Sequence, residues 1–140
     1  GTGTLATAGG SSGTANVGYC TMAQSQVVTQ AGPLADGVFT TSIVIPAQSQ
    51  IVGIDLLVTT AWTGSSKTTG VGDTASATAL TAAGNINAAS VGNVSGTPGS
   101  SQVANWQNVG STDIQVVLTS TNTGSGVGVL TVRYIQSNNI

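Results

Sequence analysis

The run Gln50–Trp62, QIVGIDLLVTTAW, alternates apolar with small or polar side chains at period two. That period belongs to a half-buried strand, because successive side chains of a strand point to opposite faces of its sheet. Val52, Ile54, Leu56, Val58, Thr60 and Trp62 form one set and read as core. Ile51, Gly53, Asp55, Leu57, Thr59 and Ala61 form the other and read as solvent or interface. The β-branched Val, Ile and Thr in the run suit a pleated surface.

The same period recurs elsewhere. VFTTSIVI places Phe39, Thr41, Ile43 and Ile45 on one face, and Pro46, which has no N–H for a ladder, ends it. TDIQVVLTST aligns Ile114, Val116 and Leu118. After the turn Asn122–Gly126, VGVLTVRYIQ aligns Leu130, Val132 and Tyr134 opposite Val127, Val129, Thr131, Arg133 and Ile135. Strand, Gly-rich turn and strand make a hairpin. YCTMAQSQVVTQ, from Tyr19, alternates loosely and reads as one long strand or two short ones, closed by Gly32-Pro33 and the turn Ala35-Asp36-Gly37. Many strands, dense turns and no long helical pattern predict an all-β antiparallel sandwich or barrel.

Two segments lack this order. Residues 1–18, GTGTLATAGGSSGTANVG, are of low complexity and predict a flexible or extended N-terminal arm, leaving 19–140 as a single domain. Residues 63–111 form a long polar mid-chain region with few anchors, in which Val71, Leu80, Ile86, Val91 and Val94 pin either short strands or a loop excursion. Ala75–Ala83 has Ala enough for a turn or two of helix, but its Thr and Ser oppose more. VANWQNVG returns Trp106 toward the packed body.

Composition narrows the chemistry. The chain of 140 residues is 4% charged, against about 25% in ordinary soluble proteins. Its charges are Asp36, Asp55, Lys67, Asp73, Asp113 and Arg133, with no His. Two cations cannot follow a phosphate backbone or hold an anionic bilayer, so neither nucleic acid nor membrane is an expected partner. A net charge of −2 on so neutral a surface suits association. Disorder is disfavoured by 39% hydrophobic residues in periodic runs. The single Cys20 excludes an intrachain disulfide, and its plain reading is a small buried side chain. No run approaches the roughly 18 apolar residues of a membrane-spanning helix.

No catalytic, cofactor-binding or metal-ligating residue is expected. The four aspartates are scattered, and Asp36 and Asp73 each adjoin a glycine, which is turn chemistry. Ser and Thr lack a His to take a proton, and Lys67 sits beside Ser65 and Ser66 in a polar stretch that solvates its amine. One Cys and no His do not make a zinc site. Trp62 and Trp106 read as core anchors near strand ends, with sugar stacking as the functional alternative. Arg133 has Asp55 or Asp113 as candidate ion-pair partners.

One further pattern joins these pieces. IPAQSQIVGIDLLVTTAW, then VGD at 71–73, then Trp106, then GSGVGVLTVRYI at 124–135 resembles small virion proteins of tailed bacteriophages. The resemblance spans about residues 43–135 and lies in β architecture, not in catalytic positions. It implies a jelly-roll-like β-sandwich in a virion, of the capsid decoration (cement) type or the head or tail fibre type. It implies the major capsid protein as partner, and self-association as a homo-oligomer, with a trimer at capsid three-fold positions favoured.

Overall fold

The structure, a computed structural model, describes residues 20–136. Its strands are β1 (Met22–Ala31), β2 (Val38–Ile45), β3 (Gln50–Thr60), β4 (Thr68–Asp73), β5 (Ile86–Asn87), β6 (Gly92–Gly96), β7 (Ile114–Ser120) and β8 (Ser125–Ile135), with a five-residue helix α1 (Val103–Gln107). They build two four-stranded antiparallel sheets, ordered β1-β8-β3-β6 and β2-β7-β4-β5. Apart from the β4–β5 step, each connection carries the chain to the opposite sheet, so the sheets stack and enclose the core between them. The expected antiparallel β-sandwich is the observed fold. The arm expected at 1–18 lies outside the described residues.

The core is where period two placed it. Ile43 and Ile45 of β2, Ile54 and Leu56 of β3, Leu118 of β7 and Leu130 of β8 are all buried. The first strand is one long strand, not two. The ends of β3 depart from the expected alternation. The register against β8 slips between Ile51 and Gly53 and again between Val58 and Thr60. Each slip inserts an extra residue and reverses which side chain faces inward. Ile51 is therefore 3% exposed while Val52 is 39% exposed, and Thr60 faces outward.

The mid-chain region contains loops, but β4, β5 and β6 are threaded through it. Val71, Leu80 and Ile86 are the anchors that turn inward; Val91 is exposed. After β4 the chain folds back against its own strand, and the Val71 carbonyl accepts from the N–H groups of Leu80 (3.2 Å) and Thr81 (2.8 Å). Gly72 permits this, because a Cβ there would collide with the Ala77 carbonyl group. Residues 75–83 form turns instead of the helical turn considered for them. The helix falls later, where the side chains of Gln102, Asn105 and Trp106 donate to the carbonyls of Thr78, Ala79 and Leu80. The folded-back segment thus has its outward carbonyls satisfied by the helical turn packed over it.

Candidate functional site

The charged residues are mostly spent on local structure. Asp73 Oδ1 accepts the N–H groups of Ala75 (2.9 Å) and Ser76 (2.8 Å), the Asx-turn geometry that starts the fold-back. Asp113 Oδ1 accepts the Ala47 N–H at 2.8 Å, tying the β2–β3 turn to the entry of β7. Asp36 sits in a 3₁₀ turn, Ala35–Gly37, with φ of 54°. Asp36 and Asp73 line a common groove of about 420 Å³ beside Val38, Thr40 and Ala77. No group of three His, Cys, Asp or Glu side chains within reach of one metal ion occurs among the described residues. Cys20 is exposed, which corrects the buried reading: it precedes β1 and has no sheet face to turn inward on.

Of the two partners open to Arg133, the register selects Asp55. The two residues lie on neighbouring strands, β8 and β3, on the outer face of the first sheet. Arg133 Nη1 donates to Asp55 Oδ2, and Ser95 Oγ of β6 donates to Asp55 Oδ1 at 2.8 Å. The largest single influence on Asp55, its burial, opposes ionisation. Hydrogen bonds from Ser95 and Arg133, the arginine's charge and a bond from Asn93 outweigh it and hold the carboxyl below its ordinary 3.8. Gly53, beside the pair, leaves the space the guanidinium occupies.

The rest of that outer face is neutral. Val27 of β1 pairs with Val129 of β8, which pairs with Leu57 of β3, so three aliphatic side chains cross three adjacent strands in one row. Val27 is 55% and Leu57 44% exposed. The neighbouring row runs Ser25, Thr131, Asp55, Ser95, and in it the Ser25 and Thr131 hydroxyls bond each other at 2.8 Å. This face therefore presents an apolar ridge beside a row of mutually bonded polar groups. The sequence showed Leu57 and Asp55 on this side of β3. It did not show that Val27 and Val129 continue the ridge, which depends on strand register.

The two tryptophans separate. Trp62 is 2% exposed, and its Nε1–H donates to Gln30 Oε1 at 2.8 Å. Gln30 also accepts from Ser120 Oγ (2.9 Å) and donates to the Asn122 carbonyl, while Asn122 bonds the Thr63 and Ser66 carbonyls. This buried network clamps β1, the β3–β4 connection and the β7–β8 turn at one end of the sandwich. Trp106 is half-buried and, with Pro98, Asp55, Ser95 and Arg133, lines a depression of about 200 Å³ at the end of the outer face.

No protein-family model matches the sequence, and no curated protein does. Among solved structures, a chain in the capsid asymmetric unit of cyanophage Pam1 superposes on it with a TM-score of 0.57 and 19% identity. The superposition covers 86% of this chain and 88% of that one. At that identity the likeness is one of fold. The superposition takes in most of both chains, so the shared fold extends over the body of each.

Proposed function

We propose that this chain is a non-enzymatic structural protein of a phage virion: a capsid decoration protein that binds the outer shell and stabilises contacts between major capsid subunits. The observation that carries the reading is the end-to-end likeness in fold to a chain of a phage capsid asymmetric unit. The strand interleaving of the two sheets supports naming the sandwich a jelly roll. The neutral, ridged outer face supports a role in contact rather than chemistry, since hydroxyl and aliphatic surface can be buried against a neighbour with little desolvation of charge. Residues 1–18 fit this reading as an arm laid across an adjacent subunit, and trimers at three-fold positions are the copy number proposed. Particles lacking the protein should lose heat resistance; particles equally resistant with and without it would overturn the reading.

A second reading, a head or tail fibre domain that binds host-surface glycans, is favoured by one observation. Trp106 shares its depression with Asp55 and Arg133, and a partly open indole beside charged hydrogen-bonding groups suits a sugar ring. Trp62 offers no ring face for stacking. Glycan binding lost in Trp106→Ala and retained in Trp106→Phe would support this alternative; no binding by the wild type would remove it.

A further inference from the structure

We infer that the outer face of the β1-β8-β3-β6 sheet is a homotypic interface, covered by the same face of a second copy of this chain about a two-fold axis. The inference goes beyond the virion reading and stands without it.

Four observations favour a second copy as the occupant. The first is area. β3 and β8 each run 11 residues. At about 3.4 Å per residue they reach roughly 37 Å, and four strands about 4.8 Å apart span roughly 19 Å. With β1 at 10 residues and β6 at only five, the face comes to about 600 Å², roughly three quarters of the 800 Å² per partner of a stable specific interface. The second is charge. Asp55 and Arg133 neutralise each other within the face, so two copies bring together no unpaired charge. A balanced pair is also self-complementary about a two-fold, where each arginine can approach the other copy's carboxylate. The Arg133 side chain, 43% exposed, has N–H donors left for that contact.

The third observation is relief. The Val27–Val129–Leu57 row crosses the strands as one ridge, and the small side chains Ser25 and Thr131 lie in the row beside it. A ridge beside a shallow strip fits a rotated copy of itself. The fourth is twist. Two identical sheets carry the same handed twist and pack face to face at about −30°, so the second copy's curvature matches without adjustment. A contact that is the same patch on both sides is isologous and closes as a pair. Where trimers form through another surface, this contact would join one trimer to the next.

Sedimentation analysis of the purified chain over a wide dilution series tests the inference. The wild type should show a reversible step of two. Leu57→Lys and Val27→Lys, which place cations in the ridge, should each weaken that step by at least about tenfold, as loss of a central contact does. Thr40→Lys, on the outer face of the other sheet, should leave it unchanged. Should Leu57→Lys misfold, Val27→Lys carries the test, its side chain being the more exposed. A wild type that stays monomeric, or that forms only trimers indifferent to both substitutions, overturns the inference. Binding to particles is a separate measurement, so that result would leave the capsid reading untouched.

Discussion

The Gln24 side-chain amide donates to the Val44 carbonyl at 2.6 Å and accepts the Val44 N–H at 3.1 Å. It does for an edge residue of β2 what a paired strand would do. Two residues along, Gln26 Oε1 accepts both the N–H and the hydroxyl of Ser42. Strands β1 and β2 are the edges of their respective sheets on the same side of the sandwich. Exposed edge groups invite pairing with other chains; here two glutamines reach across the gap and occupy them. Replacing both with Ala should cost about 0.5–1.5 kcal/mol for each hydrogen bond lost and should open the β2 edge. Chemical denaturation reads the first effect. Light scattering reads the second, as aggregation that the wild type does not show under the same conditions.

Trp62 and Gly126 give a pair of contrasting substitutions. A Cβ at position 126 would enter the buried indole, which has nowhere to go. Gly126→Ala should therefore destabilise by about 1–3 kcal/mol, the usual cost of overpacking a core. A Cβ at position 53 meets only the end of the Arg133 side chain, which can swing into solvent. Gly53→Ala should break the ion pair, whose arginine is 43% and carboxylate 13% exposed, and should cost about 1 kcal/mol, less than the overpacked core. Equal losses in the two variants, measured by urea midpoints, would contradict this account of both contacts.

Thr69 predicts a gain. Its hydroxyl is buried and lacks a hydrogen-bond partner, while its backbone pairs with Ser120 of β7 and Ile86 of β5. Thr69→Val keeps the shape and removes the unsatisfied group, so it should raise stability by about 1 kcal/mol or more. Gln30→Leu should do the reverse. It leaves the Trp62 N–H and the Ser120 hydroxyl without their acceptor in the interior, at about 1–3 kcal/mol for each stranded group. Thermal unfolding of the two variants beside the wild type checks both signs.

Asp55 sets an acid dependence. Its carboxyl is held below 3.8 in the folded chain, so near that pH the unfolded chain binds more protons than the folded one. The stabilisation from Asp55 is complete above 3.8 and is lost as pH falls through the lower folded value. Asp55→Asn cannot be protonated, so its stability should fall less steeply over that window. Parallel slopes for wild type and variant in acid denaturation would show that Asp55 contributes nothing there.

What the sequence disclosed followed from how local each signal was. β2, β3, β7 and β8 were legible because each carries its own period-two pattern over seven or more residues. The ends of β3 were not, since a bulge is set by the partner strand and leaves no mark in the residue pattern. β5 and β6 run two and five residues, too short for a period to emerge, and their place depends on Leu80 and Ile86 folding inward. Gln24, Gln26 and Gln30 share the parity of Val28 on β1, a hint that glutamines line the inner side of an edge strand. Without the neighbouring strand they read only as polar residues. Asp55 was visible as a candidate partner for Arg133, but choosing it over Asp113 required the β3–β8 register.

A density map of the native virion checks the proposed place of this sandwich in the shell of a virus particle. The expected density is an eight-stranded body of this chain's size seated on the outer capsid surface, bridging neighbouring major capsid subunits. A shell without that density, with the chain found only on an appendage or absent from the particle, would contradict it.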